Sequence, residues 1–100
     1  MPAKLILSWD ILPGREQEYF EFVIREFIPG VQRLGFALTD AWATVFGEQP
    51  QIMVGAVSEN RQHLDEMLQS SEWRDLYLKL SGLVENYRQK IVIAKDGFQF

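Results

Sequence analysis

Residues 37–57, ALTDAWATVFGEQPQIMVGAV, decide the architecture. Two runs of strand character flank Gly47-Glu48-Gln49-Pro50, a connection suited to a hairpin. In the first run, 37–47, Leu38, Asp40, Trp42, Thr44 and Phe46 alternate with Ala37, Thr39, Ala41, Ala43 and Val45. Such alternation sends successive side chains to opposite faces of a sheet. The small-residue set suits close packing under a helix. The second run, 51–57 (QIMVGAV), is apolar almost throughout, the pattern of a strand covered on both faces. An antiparallel hairpin therefore lies mid-chain, and its flanks settle the fold.

Upstream, residues 4–12 (KLILSWDIL) predict a strand. Leu5, Leu7, Trp9 and Ile11 form an apolar row; Lys4, Ile6, Ser8 and Asp10 form a mixed one. Pro13-Gly14 stops it. Residues 15–28 (REQEYFEFVIREFI) predict a helix whose first turn carries Glu16 and Glu18, on the side favoured by the helix dipole. Its predicted buried stripe is Phe20, Val23, Ile24 and Phe27, widened by Tyr19 and Phe22. Pro29-Gly30 should kink or end the helix, Val31 and Leu34 allow one more turn, and Gly35 suits a C-terminal cap.

Downstream, Asn60 caps a helix over 61–69, with Leu64, Met67 and Leu68 inward. Ser70 or Ser71 starts another over 72–82, with Trp73, Leu76, Tyr77 and Leu80 inward. Residues 87–95 (YRQKIVIAK) predict a last strand, and the aromatic tail with Phe98 and Phe100 is expected to dock.

The order is β-α-β-β-α-α-β, the split βαβ or ferredoxin-like arrangement. It predicts one α+β domain over residues 1–100, a four-stranded antiparallel sheet with helices on one face. The bare face would carry Ile6, Trp42, Phe46 and Ile93, or their alternating neighbours. A bare apolar sheet exceeds what a soluble monomer normally exposes, and pairing two such faces predicts a homodimer.

Composition narrows function by exclusion. The chain is 47% hydrophobic and 13% aromatic, enough to suggest apolar surface buried between subunits or around a ligand. Its net charge of −4, with Lys and Arg scattered, argues against nucleic acid and anionic membrane as partners. With no cysteine, thiol nucleophiles, disulfides and Cys-based metal sites are excluded. Small secreted domains usually carry disulfides, so a cytoplasmic location is expected. The apolar run Leu5-Ile6-Leu7 is far too short for a signal-peptide core or a membrane span. A single histidine, His63, leaves no two-imidazole metal site, and phosphate-loop and nucleophile-elbow motifs are absent. Neither metal nor cofactor is expected.

Several stretches resemble the dimeric α+β-barrel superfamily: a first strand ending in Pro13-Gly14, a helix broken at Phe27-Ile28-Pro29, Gly35-Phe36 leading into a strand with Trp42, the Gly47–Ile52 hairpin, and Ser71-Glu72-Trp73 opening a helix that runs into Leu83-Val84. The chain is most similar to its NIPSNAP-like and antibiotic-biosynthesis-monooxygenase-like branches. The resemblance covers essentially the whole chain and rests on turn and packing residues. It implies a dimer whose sheets form a barrel, with a pocket between sheet and helices in each subunit. Superfamily members include cofactor-free oxygenases, haem-degrading oxygenases, muconolactone-isomerase-like enzymes and proteins without known activity. The haem-degrading branch implies an Asn on the first strand and an iron-ligating His on a helix. This chain has Ser8 or Asp10 on that strand, and His63 precedes the Trp73 helix, which argues against haem degradation.

Candidate chemistry is sparse. Asp10, beside Ser8, could act as a general base in a desolvated pocket; an aspartate at a strand end more often faces water. Asp40 with Trp42 could bind and polarise an aromatic ligand, or be an edge carboxylate beside a packed indole. His63 could shuttle protons, although a solvated helix-surface histidine is the commoner case. Trp9 and Trp73 fit the core, with pocket lining a secondary role. Arg88 and Lys90 could meet an anion or guard a strand edge. Two readings result: a cofactor-free oxygenase or isomerase of a small aromatic substrate, or a non-catalytic dimeric interaction or structural domain.

Overall fold

The structure, a computed structural model, describes residues 1–43 and 52–93, and for residues 39–43 the backbone path only. The hairpin connection, Phe46, and the terminal Phe98 and Phe100 lie outside the described residues. The elements are β1 (Ala3–Ile11), α1 (Glu16–Phe22), a π turn (Val23–Phe27), α2 (Ile28–Arg33), β2 (Ala37–Ala43), β3 (Ile52–Ser58), α3 (Arg61–Gln69), α4 (Ser71–Ser81) and β4 (Val84–Ile93). The strands form one antiparallel sheet in the order β2-β3-β1-β4. This is the expected α+β architecture.

The apolar row of β1 decides which face the helices cover. Ala3, Leu5, Leu7, Trp9 and Ile11 are all buried, packed with Tyr19, Phe22, Phe27, Leu64, Met67, Trp73 and Leu80 from the helices. Burying a large apolar side chain stabilises the fold by roughly 1.5–3 kcal/mol, so turning this row outward would cost most of the core. The mixed row therefore faces away. Register extends that helix-free face to Val57, Gly55 and Met53 of β3 and to Val92, Lys90 and Arg88 of β4. It also brings Asp40 opposite Gly55 and Trp42 opposite Met53, in the same rows. The face is mixed in character. Ile6, Met53, Val57 and Val92 lie among Lys4, Ser8, Asp10, Arg88 and Lys90, and Lys4 and Ser8 are already buried within one chain. Ile93 is not part of it: its partner is Ala3, which places it in the helix-side row.

The first helix departs from the predicted stripe. Phe20 and Ile24 are exposed, whereas Tyr19, Phe22 and Phe27 are buried. Phe22 and Phe27 are five residues apart, yet their ring centroids lie 6.1 Å apart. The π turn between them explains this, because a turn closed by i→i−5 bonding holds one residue more than an α turn. Its closing bond runs from the Ile28 N–H to the Val23 carbonyl. Pro29 follows at once and does not end the helix. Proline has no N–H and its ring crowds the carbonyl four residues earlier; the widened turn accommodates both defects.

Helix ends follow their capping residues. The Asn60 side chain accepts from the His63 N–H at 2.8 Å, and the Ser70 hydroxyl accepts from the Trp73 N–H at 3.2 Å. The end of α2 is a Schellman motif: Gly35 N–H donates to Gln32 O at 3.0 Å and Phe36 N–H to Val31 O at 3.3 Å. Gly35 sits at φ +93°, where a side chain is strained.

Candidate functional site: an aromatic cleft between α4 and β4

Ser70 starts α4 so that Trp73 and Tyr77, four residues apart, share the face towards β4. On β4 the register slips between Ser8 and Asp10 of β1: Arg88 faces Ser8, but Glu85 faces Asp10. One extra residue on β4 makes this a bulge. Asn86 occupies it at φ +56°, a conformation asparagine tolerates better than most residues. The bulge has a cause in the sequence. Val84 and Tyr87 both carry core surface, yet they are an odd number apart and would otherwise point to opposite faces.

The result is a closed circuit of aromatic rings. Trp9 lies nearly parallel to Tyr87, planes 7° apart and centroids 6.2 Å apart. Tyr87 meets Tyr77 edge-on at 5.0 Å, and Tyr77 stacks on Trp73 at 6.5 Å. Trp73 reaches Phe27 at 6.1 Å, which returns to Trp9 at 5.9 Å. Edge-to-face and offset stacking satisfy the ring quadrupoles and fix the orientation of each ring. Outside this circuit, on its solvent side, is a cleft of about 430 Å³ lined by Trp73, Tyr77, Tyr87 and Gln89.

The polar groups here are few. Tyr87 Oη donates to Gln89 Oε1 at 3.0 Å. Burial pushes the Tyr87 phenol well above its ordinary range, and the adjacent Tyr77 acts in the same direction. Behind the circuit, Trp9 Nε1 donates to Tyr19 Oη at 2.8 Å. Burial raises the Tyr19 pKa, and the indole N–H opposes that shift by favouring the phenolate. The four lining residues include neither a carboxylate nor an imidazole. Among the described residues no cluster of three His, Cys, Asp or Glu could hold a metal. The cleft presents three aromatic side chains and one carboxamide.

Of the residues singled out by sequence, Trp73 lines the cleft and Trp9 forms the buried layer behind it. Ser8 and Arg88 face each other on the helix-free side, across the sheet from the cleft. Asp10 is on that side too, its Oδ2 accepting from Asn86 Nδ2 at 3.0 Å. Asp40 aligns through Gly55 with Ile6, four residues along β1 from Asp10 and two strands away. That separation is about 13 Å along the strands plus about 10 Å across them, so the two aspartates form no pair. Trp42 shares the row of Met53 and Ser8, and its side chain lies outside the described residues. His63 serves a helix end: its Nε2 donates to the Leu34 carbonyl at 2.9 Å, and its ring meets Phe36 edge-on at 5.6 Å. The sequence reading took the lining residue Tyr77 for core only, and missed Tyr87 and Gln89 as lining residues. The signal was their alternation with Arg88, read there from the charged side only.

No family model and no curated protein sequence matches the chain. Solved structures do. A NIPSNAP family protein from Agrobacterium tumefaciens superposes with a TM-score of 0.69 at 21% identity, covering 96% of this chain and 95% of that one. Rv0793 from Mycobacterium tuberculosis superposes with a TM-score of 0.74 at 13% identity, over 99% and 100% of the two chains. SnoaB from Streptomyces nogalater, a cofactor-independent oxygenase, gives 0.69 at 10% identity, over 96% and 95%. The fold is the one these NIPSNAP and oxygenase structures share. At such identities the likeness extends to the fold, and residue roles do not follow from it.

Proposed function

We propose that this protein binds a small aromatic molecule in the cleft between α4 and β4 and acts as a cofactor-free oxygenase or isomerase upon it. The observation that carries the reading is the aromatic circuit, whose outer members Trp73, Tyr77 and Tyr87 wall a cleft instead of closing over it. Stacking on fixed rings favours planar ligands. The SnoaB likeness makes oxygenation the first chemistry to assay. For a naphthol, one ring C–H and the phenol C–OH both become C=O; one atom of dioxygen enters the ring and the other leaves as water with the hydrogens of that C–H and that O–H. Homodimerisation through the helix-free sheet face fits its apolar members Ile6, Met53, Val57 and Val92. A cytoplasmic location fits a chain of 100 residues without cysteine, and no helix among the described residues is long and apolar enough to cross a membrane.

The test is a thermal-shift series with naphthols, quinols and polycyclic phenols, followed by dioxygen uptake on any ligand that binds. A raised Tm with oxygen consumption supports the enzyme. Binding without turnover supports the second reading, a non-catalytic domain, which the lack of a carboxylate or imidazole in the cleft lining favours. Sedimentation showing a monomer at tens of micromolar overturns the dimer.

A further inference from the structure

Of the polar groups lining the cleft, the Gln89 carboxamide has its orientation set by a side-chain hydrogen bond, and that orientation carries a ligand preference. Tyr87 Oη donates its proton to Gln89 Oε1, so the carboxamide is held with its oxygen towards the phenol. Its Nε2 has no hydrogen-bond partner among the described residues, and Gln89 is exposed at the cleft. A carboxamide free to flip could offer a ligand either a donor or an acceptor. Here the oxygen is turned to the phenol and takes its proton, so the Nε2 end, with its two N–H donors, is the end left towards the cleft. Tyr87 is itself fixed, stacked on Trp9 and edge-on to Tyr77, so its hydroxyl cannot easily swing away.

We propose that Gln89, oriented by Tyr87, is a specificity-determining residue that selects planar aromatic ligands bearing a hydrogen-bond acceptor oxygen, a ring ketone or phenolate, over the same rings without one. This rests on the cleft being the ligand site. Gln89 would touch the ligand; Tyr87 is a positioning residue for its amide. Burial keeps the Tyr87 phenol protonated through the neutral range, so the orienting bond persists there.

The test uses two near-isosteric probes, 9-fluorenone and fluorene, which differ by the ketone. Each is titrated into the full chain and followed by tryptophan quenching and calorimetry. The wild type should bind fluorenone roughly fivefold to tenfold more tightly than fluorene, the effect of one net hydrogen bond. Gln89→Leu should bring the two affinities together. Gln89→Glu, whose carboxylate has no donor to offer, should reverse the preference. Tyr87→Phe keeps the ring but frees the amide, so the preference should shrink while fluorene affinity holds. Comparing the variants' melting temperatures excludes loss of folding as the cause. Equal affinities in the wild type, or a fluorenone preference that survives in Gln89→Leu, would overturn the inference and leave the cleft as a ligand site. Binding of neither probe would overturn both.

Discussion

The indole N–H of Trp9 ends on the phenol oxygen of Tyr19, 2.8 Å away, with both residues buried. This bond ties the central strand to the start of the first helix. It also satisfies the one polar atom that Trp9 brings into the core, and no buried side-chain nitrogen or oxygen among the described residues lacks a partner. Tyr19→Phe removes the acceptor and leaves the rings in place. An orphaned buried donor costs about 1–3 kcal/mol. Denaturant unfolding should show a loss of that size with an unchanged m-value; a loss below about 0.5 kcal/mol would mean that water replaces the phenol.

Alkaline stability should report the buried phenols. Tyr19 and Tyr87 both titrate above the ordinary phenol value of 10.0 in the folded chain, burial being the main cause. The folded state therefore holds protons that the unfolded state releases above about pH 10. Stability is fully present below that pH and falls as pH rises towards the folded-state values. Unfolding at pH 9 and pH 11 should show the drop, and Tyr87→Phe should make it smaller. An equal drop in the variant would show that Tyr87 ionises normally in the fold.

The bulge on β4 separates backbone from side-chain effects. Asn86 combines φ +56° with a hydrogen bond to Asp10. Asn86→Gly keeps the conformation and loses only an exposed bond, so stability should change by less than about 1 kcal/mol. Asn86→Val puts a β-branched residue into the left-handed region and should cost at least about 1–2 kcal/mol. If the bulge yields, Tyr87 leaves the helix-side row, and the near-ultraviolet dichroism of the stacked Trp9 should fall with it. Similar stability for the two variants would show that the left-handed geometry is not required.

Gly35 is constrained twice. Its φ is +93°, and a Cβ there would lie 2.9 Å from Cε1 and Nε2 of His63. Gly35→Ala should destabilise the fold by about 1–3 kcal/mol through strain and contact together. Adding His63→Ala removes the contact but not the strain, so recovery should be partial. Full recovery in the double variant would assign the whole cost to the imidazole.

Much of the fold was legible because its signals are local. The alternation in residues 4–12 separated the buried row from the mixed one, and two helix starts were marked by Asn60 and by Ser70 or Ser71, the structure assigning the second cap to Ser70. The first helix departs from its sequence pattern where 3.6 residues per turn does not hold, through residues 23–27. The π turn shifts the phase by about one residue, which exposes Phe20 and Ile24 and buries Phe22 with Phe27. Pro29 was the available clue: a proline inside an apolar helix requires a compensating distortion.

The sequence by itself determined the order of the elements, the α+β class and the exclusion of thiol chemistry. These depend on residue type and on spacing within a few positions. Only the tertiary structure decided which residues share the cleft. Asp10 and His63 carry suitable chemistry but face a bulge and a helix end. Trp73, Tyr77, Tyr87 and Gln89 meet because a helix cap, a strand bulge and the packing of Trp9 each set one orientation. Residue type shows what a side chain can do. Only the packing of distant segments shows which side chains can do it together.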